Sequence, residues 1–145
     1  MGTRKIVTLG DDTLRKHCKP QEKFDRRLAT LLKDMAETMY KAEGVGLAAP
    51  QVGILRRAAV VDVTEDHSGL LELVNPEIIE REGEQTGREG CLSVPGRQGV
   101  VTRPMKSRCG SRTGTAIRMS WRPKGSRPGP SATSWTIWTD GCIST

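Results

Sequence analysis

A break in composition near residue 105 limits the part of this 145-residue chain that can build a hydrophobic core. All eleven leucines lie in residues 1–105, and residues 106–145 contain no leucine, valine or glutamate. Thirteen of these forty residues are serine or threonine, and eight are glycine or proline. Such a composition buries too little apolar surface to offset the entropy lost on folding. We therefore predict one domain over residues 1–104 and an irregular, disordered basic tail over residues 105–145.

The charge distribution shows the same break. The net charge is +6, but residues 1–105 carry 16 basic and 16 acidic residues, so the excess lies in the tail. A basic tail is compatible with contact to RNA or another polyanion, although the tail also holds all three tryptophans, which are unusual in disordered segments. No apolar run approaches the roughly 18 residues needed to span a bilayer. The four cysteines form no CxxC pair, which favours a reducing, cytoplasmic location.

Periodic patterns in the first 104 residues predict an α+β domain in which short strands surround a central helix. Between Phe24 and Gly44, apolar residues recur every three or four positions, which predicts an amphipathic helix with one buried face. The residues on this face are Phe24, Leu28, Leu31, Leu32, Met35 and Met39. Asp25 is the predicted N-cap and Gly44 the predicted end of the helix. A shorter helix is predicted to start at Asp11 or Asp12.

Strands are predicted in segments rich in β-branched residues. These segments are 5–10, 56–66, 99–104 and 70–84, the last divided in two at Asn75-Pro76. One long helix beside several short strands indicates α+β rather than repeated βαβ units.

The segment GVGLAAPQVG (44–53) directly follows the predicted helix. Its glycines allow the backbone to approach a ligand closely, and Gln51 offers an amide donor. A helix C-cap followed by the entry into a strand explains the same pattern, and the pattern alone favours that structural interpretation.

The segment EGCLSVPG (89–96) contains an isolated cysteine, Cys91. A thiolate binds divalent metals, and a backbone N–H just after it can stabilise a developing oxyanion. An ordinary buried cysteine is the more common case. Taken alone, this segment supports either interpretation.

Together and in this order, GVGLAAPQ and EGCLS resemble the first two signature motifs of the peptide deformylases. The resemblance also includes DDTLRKHCKP, MAETMYKAEG, AAVVDVT and LVNPEII, and it covers residues 5–104 without a large gap. Deformylases are metallohydrolases that remove the N-formyl group from the initiator methionine of nascent chains. The resemblance therefore implies a deformylase-like fold and N-formyl-methionyl nascent peptides as partners, with ribosome association and with neither a membrane nor specific DNA.

The same resemblance implies roles for five residues. Cys91 would be the thiolate ligand of a metal that is usually Fe²⁺ in this family and is replaceable by Zn²⁺, Ni²⁺ or Co²⁺. Gln51 and the backbone N–H of Leu92 would hold the oxyanion. Gly46 would line the substrate path, and Glu89 would either support the site or be a solvated charge at a strand end.

The third deformylase motif, H-E-x-x-H on a helix, is absent from these 145 residues. That motif supplies two histidine ligands on one helical face and a glutamate that acts as general base and acid. The chain has only two histidines, His17 and His67, and neither lies in such a spacing. The sequence therefore predicts weak metal binding and impaired or absent activity.

The segment ATSWTIWTD (132–140) indicates that the missing motif lies in another reading frame. The single tryptophan codon ends in G, and every threonine codon begins with AC. When the third base of one codon is read with the first two bases of the next, a Trp-Thr pair therefore gives GAC, which encodes aspartate. Trp135-Thr136 and Trp138-Thr139 satisfy this, and the neighbouring codons permit His-Glu-Leu-Asp-His-Leu-Asp-Gly. One position departs, since Ser131-Ala132 cannot give the glutamine that usually precedes the first histidine. We interpret the chain as a peptide deformylase whose C-terminal third is frame-shifted.

Two alternatives belong to other functional classes. In one, a non-catalytic deformylase-like domain binds peptides while the basic tail contacts ribosomal RNA. In the other, Cys91 is a redox-active thiol, although no resolving cysteine or nearby cation is evident in the sequence.

Overall fold

The structure is a computed structural model that describes residues 2–103, 106–110 and 117–120. It contains one α-helix, α1 (Arg26–Lys41), and two short 3-10 helices, Asp12–Arg15 and Ala49–Val52. The strands are β1 (Gly46–Ala48), β2 (Ala58–Val61), β3 (Leu71–Val74), β4 (Glu77–Glu82), β5 (Gln85–Cys91), β6 (Val94–Arg103), β7 (Lys106–Gly110) and β8 (Ile117–Ser120). Within the described ranges, no helix is both long enough and apolar enough to cross a membrane.

Helix α1 begins as the sequence predicts. The Asp25 carboxylate accepts hydrogen bonds from the backbone N–H groups of Arg27 and Leu28, at 3.0 and 3.1 Å. These bonds satisfy two of the donors that have no partner inside the helix, so Asp25 is a genuine N-cap.

The end of α1 differs in detail from the prediction. Glu43, and not Gly44, is the left-handed residue, with φ at 54°. The N–H of Glu43 donates to Tyr40 O and that of Gly44 to Met39 O, each at 3.0 Å, which is the bonding pattern of a Schellman motif. Gly44 therefore follows the turn.

The core lies between α1 and the sheet that contains β1 and β2. Met35, Met39, Leu47 and Val60 are completely buried there. Phe24 does not belong to this core, because its side chain is 52% exposed, and its assignment to the buried face is wrong. Phe24 precedes the N-cap, so the helical period does not extend to it.

The strands form three antiparallel groups. The first sheet has the order β1-β2-β3, with Leu47 opposite Val60 and Ala59 opposite Leu73. The second has the order β4-β7-β8, and β5 and β6 form a two-stranded hairpin. The predicted break at Asn75-Pro76 separates β3 from β4, since Asn75 adopts a positive φ of 49°.

The strand predicted over residues 5–10 is not formed. The N–H of Val7 donates to Gln51 O and that of Leu9 donates to Ser93 O, both at 2.8 Å. Because the segment bonds to two different parts of the chain, it crosses between them and makes no continuous ladder.

Two strands lie beyond residue 105, where we predicted irregular structure. Strand β7 pairs with β4, and β8 pairs with β7. Backbone hydrogen bonding between strands does not require leucine. The loss of leucine after residue 105 therefore does not mark the end of regular structure. The rest of the tail predicted over 105–145, including the segment 132–140, lies outside the described residues.

Candidate functional site

A groove of about 590 Å³ lies between the α1–β1 connection and the β5–β6 hairpin. One side is formed by Glu43, Gly44, Val45 and Gly46, and the other by Gly90, Cys91, Leu92 and residues 94–98. Both segments that the sequence singles out therefore meet at one concavity. Gly46, Cys91 and Leu92 all line it.

Gln51 lies at the buried junction of the two segments. Its side chain is 1% exposed and comes from the 3-10 helix that follows β1. The Oε1 atom accepts the backbone N–H of Ala48 at 3.0 Å. The Nε2 atom donates to Ser93 Oγ at 3.2 Å and, over a longer distance of 3.7 Å, to Cys91 Sγ. The amide is thus oriented with its NH₂ group towards the cysteine.

The Cys91 thiol is half-buried at the end of β5. Burial raises the pKa of Cys91, while hydrogen bonds from the backbone of Ser93 and Val94 and from the Ser93 hydroxyl oppose that effect. The net shift is upward, so these surroundings favour the neutral thiol.

Leu92 and Gly44 are in close contact across the groove base. A Cβ atom placed on Gly44 would lie 2.7 Å from Leu92 Cδ1, so a side chain at this position would displace the Leu92 side chain. The Leu92 side chain also packs against the hydrophobic core. Leu92 therefore holds the residue after Cys91 against the core.

The N-terminal segment joins the two halves of the site. Val7 bonds to the backbone of Gln51 and Leu9 to that of Ser93. Further back, the Arg4 guanidinium binds the Asp34 carboxylate on α1 at 2.8 Å. Sequence analysis missed this connection, because nothing in the local pattern pairs residues so far apart.

Glu89 lies in β5 opposite Gly99, and its side chain is half-exposed. Among the described residues, it is not part of the groove lining. The structure thus brings together Gly46, Gln51, Cys91 and Leu92, and the predicted roles of these four residues and of Glu89 stay predictions. Ser93, which sequence analysis did not select, contacts Gln51 directly.

His67 is engaged in a different contact. Its ring stacks on Tyr40 with centroids 4.2 Å apart, and the Tyr40 hydroxyl donates to Asp62 Oδ2 at 2.7 Å. Burial, reinforced by the hydrogen bond and charge of Asp62, raises the pKa of Tyr40 to about 12. This arrangement stabilises the loop that follows β2.

The described part of the chain does not offer a fitting metal site. It contains no group of three or more histidine, cysteine, aspartate or glutamate side chains that could hold an ion. Cys91 has an amide and a hydroxyl as its neighbours, and neither replaces the imidazole or carboxylate donors of a tetrahedral site.

The polypeptide deformylase family model matches residues 3–125 of the chain. The chain belongs to the polypeptide deformylase family. It is 58% identical over 106 residues to the peptide deformylase of Caldanaerobacter subterraneus subsp. tengcongensis, covering 73% of this chain and 65% of the relative. The same identity over 106 residues relates it to the peptide deformylase of Acetivibrio thermocellus, of which it covers 61%. It thus spans less than two thirds of these relatives' length.

Solved deformylase structures share the fold. A crystal structure of a peptide deformylase from Legionella pneumophila superposes with a TM-score of 0.77 at 45% identity, covering 83% of this chain and 73% of that one. Peptide deformylase from Thermotoga maritima gives a TM-score of 0.72 at 39% identity, with coverages of 80% and 79%. The predicted family and the predicted α+β class are therefore confirmed.

Proposed function

We propose that this deformylase-family chain supplies the substrate groove and the cysteine side of a peptide deformylase site. In this proposal, the 145 residues bind a formylated methionyl peptide but do not hydrolyse it at an enzymatic rate. The observation that carries the proposal is the Gln51 amide, which is fixed with its NH₂ group towards Cys91 at the base of the groove.

Binding follows from the donors and the shape of the groove. A formyl oxygen close to Cys91 would accept the second N–H of Gln51 Nε2 and the backbone N–H of Leu92. Gly46 lies in β1, an edge strand of its sheet, and lines the path along which the peptide enters. The absence of a side chain at Gly46 leaves room for the peptide backbone.

Hydrolysis is the part of the family's chemistry that these residues do not complete. Deformylases use a divalent ion, usually Fe²⁺, and Cys91 would be its thiolate ligand. The two histidines and the glutamate of H-E-x-x-H are not in the sequence, and one soft ligand does not hold a divalent ion in a defined geometry.

The frame shift is part of the proposal and accounts for this gap. In the shifted reading frame, Trp135-Thr136 and Trp138-Thr139 must each give an aspartate, and these two aspartates have the spacing expected of the missing motif. In this proposal, the change lies between Pro104 and Lys106, close to the point where the composition of the chain changes. An intact product would act in the cytoplasm on nascent chains at the ribosome.

Calorimetric titration with formyl-Met-Ala-Ser and with Met-Ala-Ser tests the binding proposal. We expect tighter binding of the formylated peptide, and we expect Gln51→Ala to reduce this preference about tenfold, because a hydrogen bond to a buried carbonyl oxygen is lost. Gln98→Ala is the matched control, since Gln98 is exposed on the same groove and should leave the preference unchanged. Equal affinity for the two peptides would refute recognition of the formyl group. Formate release above that of the Cys91→Ala variant would refute the proposed loss of hydrolysis.

A further inference from the structure

Ser93 is completely buried beside the groove and accepts two separate hydrogen bonds. Its hydroxyl oxygen accepts from Gln51 Nε2 at 3.2 Å, and its carbonyl accepts the N–H of Leu9 at 2.8 Å. Ser93 is 0% exposed, and among the described residues it lies behind Gln51 and is not part of the groove lining.

The position of the Gln51 amide depends on bonds at both of its ends. The N–H of Ala48 donates to Oε1, which excludes the flipped amide because that would place two donors against each other. The NH₂ group has two hydrogens, and the bond to Ser93 occupies one of them. The second hydrogen is then directed towards Cys91, where the distance of 3.7 Å indicates a weak bond that a better acceptor can replace.

Ser93 itself is held by its backbone. The bond from Leu9 to Ser93 O and that from Val7 to Gln51 O fix the two carbonyls relative to one another. The backbone of Ser93 therefore cannot move away from that of Gln51 unless the N-terminal segment also moves.

We propose that Ser93 is a positioning residue that holds the Gln51 amide so that its free N–H faces the formyl oxygen. It acts through Gln51 and makes no contact with the substrate. This inference rests on the proposed function, because the formyl oxygen is the acceptor that the oriented N–H would meet. Its physical consequence is selectivity for the formyl group, with no general effect on peptide affinity.

Ser93→Ala and Ser93→Cys test the proposal together. Alanine removes the acceptor and leaves the Gln51 amide with one buried donor unsatisfied. Cysteine preserves most of the volume but is a weak acceptor, so it separates hydrogen bonding from packing. Ser68→Ala is the control, since the Ser68 hydroxyl is exposed and bonds to Asp66, away from the groove.

We expect both Ser93 variants to lower the preference for formyl-Met-Ala-Ser over Met-Ala-Ser about tenfold, with the affinity for Met-Ala-Ser unchanged. The side-chain NH₂ signals of Gln51 in ¹⁵N-resolved NMR spectra should also shift in both variants and stay unchanged in Ser68→Ala. An unchanged preference in a folded Ser93→Ala, or full preference in Ser93→Cys, would overturn the proposal.

The NMR measurement separates this inference from the proposed function. If the unsubstituted chain shows no formyl preference, the binding proposal fails. Unchanged Gln51 signals in Ser93→Ala would then overturn the positioning role independently. If Ser93→Ala does not fold, the same two readouts on Ser93→Cys decide the question.

Discussion

Translation of the same coding DNA in the shifted frame from residue 105 is expected to give a product that releases formate at least about a thousandfold faster than these 145 residues. A positioned general acid and base contributes about 10²–10⁴ to the rate of such a reaction. The two histidines of the restored motif also complete a three-ligand site with Cys91. Formate release from formyl-Met-Ala-Ser, measured for both products at equal concentration, checks this expectation.

The control for this experiment is the restored chain with the glutamate of H-E-x-x-H replaced by glutamine. That change keeps the metal ligands but removes the proton-transfer group, so most of the restored rate should be lost. Sequencing of the DNA across Pro104 to Lys106 comes first. A shifted frame that lacked H-E-x-x-H, or a restored product no faster than the 145-residue chain, would contradict the frame-shift proposal.

Met39→Ala is expected to lower the stability of the folded chain strongly. Met39 is completely buried in the core, and its carbonyl accepts the Gly44 N–H at the point where the chain enters the groove. Truncation of a buried methionine costs about 2–5 kcal/mol, a large share of the roughly 5–15 kcal/mol that stabilises a typical domain. The free energy of unfolding in urea, followed by circular dichroism, measures the loss.

Phe24→Ala is the matched control for this substitution. Phe24 is a large apolar residue in the same predicted stripe, but it is 52% exposed. We expect its removal to change the free energy of unfolding by less than about 1 kcal/mol. Similar losses for the two variants would mean that the core does not lie where the structure places it.

Met39 and Phe24 also show how far the sequence determines the fold. Periodicity locates α1 and its buried face, and the N-cap at Asp25 follows from residue type alone. Periodicity does not show where the helix begins, so it predicts a buried position for Phe24, which lies just before the helix. The segment 5–10 has the composition of a strand, but the tertiary structure divides its hydrogen bonds between Gln51 and Ser93.

The residues of the candidate site that belong to the two family motifs were predictable from the sequence. Gly46, Gln51, Cys91 and Leu92 lie in two segments whose order and spacing are those of a family, and the structure brings them together. Ser93 was present in the same quoted segment but had no local signal. Its importance arises from a contact between residues separated by 42 positions, which only the folded chain reveals.

The metal content of the purified 145-residue chain tests the central claim most directly. The claim is that this chain has the groove and Cys91 of a deformylase but not the ligands that complete its metal site. Inductively coupled plasma mass spectrometry, after dialysis against buffer with Fe²⁺ or Zn²⁺ and removal of the free ion, should find far less than one ion per chain. One tightly bound ion per chain, lost in Cys91→Ala, would contradict the claim.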